Sequence, residues 1–220
     1  MRKTPIAVGE YYHIYNRGND KQKIFKDERD WIRFLFLTLH FQSPLVFDHL
    51  GRHVSYFVKY RRFNMKPNEI KTILKKSFIQ LVVFTLMPNH FHLIIKEEKE
   101  GGIAEYLGRI QNAQTKYFNI KYKRTGHLFQ GPYQAVHIES NEQLLHLSAY
   151  IHKNSKELKG WEDREQLFPW SSYQDYQQNR WKELLKPDII LEQFNNFKEY
   201  QKFVETSSAK ENFPDIHSSV

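Results

Sequence analysis

The sequence predicts an α+β fold: an antiparallel, ferredoxin-like sheet with helices on one face, followed by a C-terminal helical extension. Three observations carry this. Short aromatic and β-branched runs bounded by turn residues mark strands. Amphipathic stretches with capping residues mark helices. Their order is strand, helix, strand, strand, helix, strand, helix, which suits such a sheet with the last helix free to cross it.

Tyr11-Tyr12-His13-Ile14-Tyr15-Asn16-Arg17-Gly18 is the first strand, closed by Gly18-Asn19-Asp20. Asp27 caps a helix in which Trp31, Phe34, Leu35 and Thr38 recur at helical spacing up to Phe41, and Ser43-Pro44 ends it. Residues 45–76 show no clean period; they interleave Arg52, Lys59, Arg61, Arg62, Lys66, Lys71, Lys75 and Lys76 with Tyr56, Phe57, Tyr60 and Phe63. Such interleaving suits a single-strand platform, in which cations track phosphates and rings stack on bases, but aromatic residues in a long excursion more often pack it onto the core. Leu81–Leu86, the turn Pro88-Asn89 and the following strand to Lys96 form a hairpin. After Gly101-Gly102 a helix runs from Ile103 to Lys121, with Ile103, Leu107, Ile110, Gln114 and Tyr117 on one stripe. Its end is basic, which complements the helix dipole. The loop from Gly126 leads into a fourth strand, where Pro132 suggests an edge or bulge. Ser140 and Gln143 form a capping-box pattern for a helix reaching about Leu158.

The chain has 220 residues, 40% of them hydrophobic, enough for one sizeable core plus decoration. No apolar run approaches the roughly 18 residues of a membrane span and no signal-peptide pattern follows Met1-Arg2-Lys3, which makes the cytoplasm the default expectation. Cysteine is absent, excluding disulfide frameworks and thiolate metal sites. The net charge of +8 is uneven: residues 1–160 carry +12 and residues 161–220 carry −4. A polyanion is the natural partner of the basic part, nucleic acid before membrane, because no basic segment has a clean apolar face.

The basic part also carries the histidines. In Met87-Pro88-Asn89-His90-Phe91-His92-Leu93-Ile94-Ile95-Lys96, strand alternation puts His90 and His92 on one face and Phe91 on the other, so two imidazoles can meet one metal ion or simply be satisfied polar groups. On the last helix His146, Tyr150 and Asn154 follow steps of four, while Leu144, Leu147 and Ile151 mark the buried stripe. A phenol with a pKa of about 10 becomes a nucleophile only beside a cation or metal, and an amide one turn on can add an oxygen ligand.

Four blocks resemble the single-tyrosine HUH transposases, specifically the REP-associated tyrosine transposase group of the IS200-like family. They are Tyr12-His13-Ile14-Tyr15-Asn16-Arg17-Gly18-Asn19 with Gln22, Ile24 and Phe25; Met87–Leu93; Gly126-His127-Leu128-Phe129-Gln130-Gly131; and Tyr150-Ile151-His152 with Asn154. Trp170-Ser171-Ser172-Tyr173 with Asp175 and Tyr176 adds a weaker match. The sequence departs from the family pattern at Pro132, Gln134 and Ser155, and in the length of the excursion over 43–76. The role of His152 stays open.

The resemblance implies metal-dependent cleavage and joining of single-stranded DNA near hairpins through a 5′-phosphotyrosine. Tyr150 would be the nucleophile; His90, His92 and Asn154 would hold Mg²⁺ or Mn²⁺; and Arg17, Arg109, Lys116, Lys121, Lys123, Arg124 and His127 would contact nucleic acid. The partner would be single-stranded DNA with hairpin structure, bound by a monomer or homodimer. Two other readings stand beside this one: a domesticated protein binding structured single-stranded DNA or RNA without cutting, and a cupin-like metal hydrolase using His90, His92 and Glu97. The expected organisation is a catalytic domain over 1–160 with the 43–76 insertion, a helical extension over 161–205 and a disordered tail over 206–220. In the extension, Pro187-Asp188 would open an amphipathic helix carrying Ile190, Phe194, Phe197 and Val204.

Overall fold

Alternation along the histidine strand is realised in a four-stranded antiparallel sheet. The computed structural model describes residues 5–208. Strands β1 (Tyr11–Arg17), β2 (Ile79–Met87), β3 (His90–Glu97) and β4 (Gln134–His137) lie in the order β2-β3-β1-β4. The expected hairpin is present, with Pro88-Asn89 as its turn. The register sets Tyr15 opposite His92, Arg17 opposite His90, and Thr85 opposite His92 on the other side. Directly opposed residues share a face. Arg17, Tyr15, Thr85, His90 and His92 therefore line one face, and Ile14, Asn16, Phe91 and Leu93 the other.

Helices α1 (Glu28–His40) and α4 (Gly102–Lys121) cover the Phe91 face. Asp27 caps α1 by accepting from the Asp30 N–H at 3.1 Å. The Phe34 ring lies 5.3 Å from Phe91, and the Tyr106 hydroxyl donates to the Thr38 carbonyl at 2.6 Å, tying α4 to α1. Helix α5 (Asn141–Lys153), capped by Ser140, crosses the opposite face and brings Tyr150 against His92. The sheet thus carries helices on both sides, with α5 alone over the histidines.

The 45–76 segment folds into α2 (Leu50–Tyr60) and α3 (Pro67–Lys75). Its phenylalanines pack onto the fold: Phe57 and Phe63 stand 4.6 Å apart, and Phe63 lies 5.8 Å from Trp181 of the extension, while Tyr60 stays exposed. The extension also differs from a single helix. After α6 (Asp175–Gln178), it forms α7 (Asp188–Leu191) and, restarted by the Asn196 cap, α8 (Phe197–Thr206). Before α6 it runs along the free edge of β2, where Leu86 N–H donates to the Trp170 carbonyl and Ser172 N–H to the Phe84 carbonyl, each at 2.9 Å. That edge is therefore closed to strand pairing. Of the segment expected to be a disordered tail, Thr206 ends α8 and the Ser207 hydroxyl meets His146 Nδ1 at 2.9 Å, while residues 209–220 lie outside the described residues.

His152 has a structural task. It is fully buried, with Nε2 2.8 Å from Ser172 Oγ and Nδ1 2.7 Å from the Tyr200 hydroxyl, and it stacks on Tyr173. One imidazole thereby joins α5, the edge segment and α8. Burial pulls its pKa down to about 3, and likewise that of His40. Both stay neutral in the folded chain while their unfolded counterparts take up protons below pH 6.5, so the stability they supply is present above that value and lost as pH falls towards 3. Urea denaturation at pH 7 and pH 5 should show a loss of about 2 kcal/mol for each histidine; equal stability at the two pH values would contradict the burial assigned to them.

Candidate active site

Three turns meet at one end of the sheet. Gly18 N–H donates to the Asn89 carbonyl at 2.7 Å, Asn19 N–H to the Leu128 carbonyl at 2.9 Å, and Gln130 N–H to the Arg17 carbonyl at 2.8 Å. Gly18 is required at this junction, because a Cβ there would lie 2.1 Å from the Gln22 carbonyl oxygen. These contacts gather the β1 turn, the hairpin turn and the 126–131 loop around His90. Helix α5 ends beside them, and Asn154 is the first residue beyond it.

The hydrogen bonds of His90 define the chemistry of the pocket. Asn89 is oriented by its Nδ2, which donates to the Lys21 carbonyl at 3.3 Å, so that its Oδ1 faces His90 Nδ1 at 2.8 Å. A neutral imidazole carries one proton and can donate to only one amide oxygen. With that proton on Nδ1, the lone pair of Nε2 faces a second acceptor, Asn154 Oδ1, at 3.1 Å. Protonating both nitrogens would relieve the conflict, but burial pushes His90 down to about 4, outweighing the opposing pull of Asn154 and Glu157. Two acceptors facing each other are satisfied by a cation between them. His92, fully buried on the same face, stands with its ring centroid 5.1 Å from that of His90. Two imidazoles and an amide oxygen fit a divalent metal such as Mn²⁺ or Mg²⁺. Among the described residues no cluster of three His, Cys, Asp or Glu side chains suits a metal, so the site depends on that amide.

Tyr150 completes the group. Its ring lies 5.7 Å from the His92 ring at 82°, and its hydroxyl is hydrogen-bonded to Asn154. Burial first, and then the Glu157 carboxylate, drive the phenol far above its ordinary value, against the opposing effect of Asn154. The resting phenol is therefore protonated, and loss of that proton requires added positive charge beside it. A cavity of about 450 Å³ opens here, lined by Lys21, Lys23, His90, Tyr150, Asn154 and Glu157 among others.

The model of the family described as IS200-like transposase matches residues 48–154, a span running from the start of the excursion through Asn154. Over that span the chain is similar to the IS200-like transposase family, and the match takes in His90, His92, Tyr150 and Asn154. No curated protein matches its sequence significantly. A solved structure of a REP-associated tyrosine transposase bound to a REP hairpin is similar in fold, with a TM-score of 0.53 at 13% identity, covering 86% of this chain and 89% of that one. Among the described residues no helix is long and apolar enough to cross a membrane.

The candidate nucleic-acid contacts separate into two groups. Arg17 belongs to the site: it is opposite His90 in the register, bonds Gln130 through Nε and lowers the His90 pKa. Lys116, Lys123 and His127 are exposed on the end of α4 and the loop after it, and Arg124 donates to the His127 carbonyl at 3.1 Å. Arg109 and Lys121 are turned to other uses. Arg109 caps the end of α1 by donating to the carbonyls of Phe41, Ser43 and Leu45. Lys121 Nζ is held by Asp27 at 2.7 Å and the buried Asp30 at 2.6 Å. Both are thus engaged within the fold rather than presented free at the surface. Glu97 leaves the list of ligands. An odd separation from His92 puts it on the far face, where it accepts from the N–H groups of Gly102 and Ile103 at 3.0 and 2.7 Å, so the cupin-like arrangement is not formed. Lys21 and Lys23, which line the cavity, were not singled out from the sequence; their only signal was a place just after the Arg17-Gly18 turn.

Arg109→Ala should lower stability by about 2 kcal/mol, because it strands carbonyls at a helix end, and should leave DNA affinity unchanged. Urea denaturation and a gel-shift assay check this. Full stability with weakened DNA binding would return Arg109 to the nucleic-acid surface.

Proposed function

We propose that this protein cleaves and rejoins single-stranded DNA at hairpin-associated sites, with Tyr150 as the nucleophile. The observation that supports this best is the position of Asn154, whose Oδ1 lies 3.1 Å from His90 Nε2 and whose amide is hydrogen-bonded to the Tyr150 hydroxyl. One residue thus links the metal-binding side chains to the nucleophile. His90, His92 and Asn154 would hold Mg²⁺ or Mn²⁺, which supplies Lewis-acid polarisation of the scissile phosphate and positive charge beside the phenol.

The chain's own groups carry the remaining work. Tyr150 Oη forms a bond to phosphorus as the bond to the 3′-oxygen breaks, leaving a 5′-phosphotyrosine and a free 3′-hydroxyl; attack by a 3′-hydroxyl reverses the step and joins strands. Arg17, Lys21 and Lys23 neutralise phosphates entering the cavity, while Lys116, Lys123, Arg124 and His127 extend the basic path along the α4 end. The hairpin bound by the structural neighbour supports a folded single strand as substrate.

A second reading, binding of structured single strands without cleavage, is favoured by one observation: Tyr150 is only 3% exposed. Incubation with a hairpin-flanked single strand and Mn²⁺, followed by denaturing electrophoresis, separates the two. The wild type should form a covalent adduct, and Tyr150→Phe should form none while binding within about threefold of wild type. Adducts that persist in Tyr150→Phe would overturn the assignment of the nucleophile. Binding with no adduct in either protein would establish the second reading.

A further inference from the structure

His13 is fully buried on β1, two residues from Tyr15, and its side chain reaches across to the metal face of β3. Its Nε2 lies 3.0 Å from His92 Nδ1, and the two rings are nearly parallel, with centroids 5.2 Å apart at 14°. Tyr15 stacks on the same imidazole at 4.9 Å. The diagonal hydrogen-bonded contact with His92 and the stacking of Tyr15 fix the His13 ring in place.

An imidazole that binds a metal through one nitrogen carries its proton on the other, and the partner of that second nitrogen sets tautomer, ring orientation and basicity. That partner is ordinarily a carboxylate, a carbonyl or water. Here it is a second imidazole. His13 can serve only if its Nε2 accepts, with its own proton on Nδ1. His13 Nδ1 has no hydrogen-bond partner among the described residues, so no competing group dictates which nitrogen of His13 is protonated.

We propose that His13 is the positioning residue of the metal site: its Nε2 accepts the Nδ1 proton of His92 and thereby commits His92 Nε2 to the metal. The inference rests on the metal reading of His90, His92 and Asn154 and deepens it by assigning a task to a residue outside that set. It also accounts for a histidine rather than an aliphatic residue at a fully buried strand position, where a neutral polar ring with one unpaired nitrogen otherwise costs stability.

Two variants of the full-length protein test it. His13→Leu removes the acceptor, and His13→Gln keeps an amide oxygen that can accept from His92 Nδ1. Mn²⁺ affinity is measured by titration with electron paramagnetic resonance detection of the free ion, and the His92 tautomer by long-range proton–nitrogen NMR correlations. Thermal melts of each variant confirm folding. In the metal-free wild type or with diamagnetic Mg²⁺, His92 should show a protonated Nδ1 and an unprotonated Nε2. His13→Leu should weaken Mn²⁺ binding about 10- to 100-fold, and His13→Gln should restore it to within about threefold of wild type. Wild-type Mn²⁺ affinity in a folded His13→Leu variant, or a His92 ring protonated at Nε2 in the Mg²⁺-loaded protein, would overturn the role of His13 and leave the metal site standing. Failure of the wild type to bind Mn²⁺, with His90→Ala indistinguishable from it, would overturn the metal reading and this inference with it.

Discussion

Asn89 and Asn154 hold His90 between two amide oxygens, and one imidazole proton satisfies only one of them. With that proton on the Asn89 side, a lone pair on Nε2 confronts a lone pair on Asn154. Such a contact persists in a folded chain only when surrounding structure forces it or when a cation resolves it. The surrounding structure does constrain it, and the residues that would hold a cation are at hand. The hairpin turn is pinned by Gly18 and Lys21, Asn154 is fixed by the end of α5, and the third donor, His92, stands on the same face.

Keeping α5 in place is the work of the extension. The His152 imidazole bonds the edge segment through Ser172 and α8 through Tyr200, while Ser148 of the same helix meets the Tyr200 hydroxyl at 3.1 Å. The edge segment in turn pairs with β2. Tyr150 and Asn154 therefore owe their position to residues after 168 that contribute nothing to the pocket itself.

Much of this was legible in the residues, and the losses have identifiable causes. Strand alternation put His90 and His92 on one face, and capping signals at Asp27 and Ser140 placed the starts of α1 and α5. The pairing of those histidines with Tyr150 needed the crossing of α5, which depends on long-range contacts that no local pattern records. Helix α2 was hidden because it begins and ends on His49 and Arg61 in left-handed conformation, with φ of 54° and 55°, where glycine is the usual signal. Arg109 and Lys121 looked like nucleic-acid contacts because composition reports charge and not the carbonyls or carboxylates that hold it. His13 lay within a strong strand signal, yet the register that sets it beside His92 is a property of the assembled sheet.

The most direct test of the account is diffraction from crystals grown with Mn²⁺, using its anomalous signal to place the ion. The account predicts one peak between His90 Nε2, His92 Nε2 and Asn154 Oδ1, beside the Tyr150 hydroxyl. A Mn²⁺ peak elsewhere, with His90 Nε2 and Asn154 Oδ1 still facing each other at an unchanged distance, would contradict it.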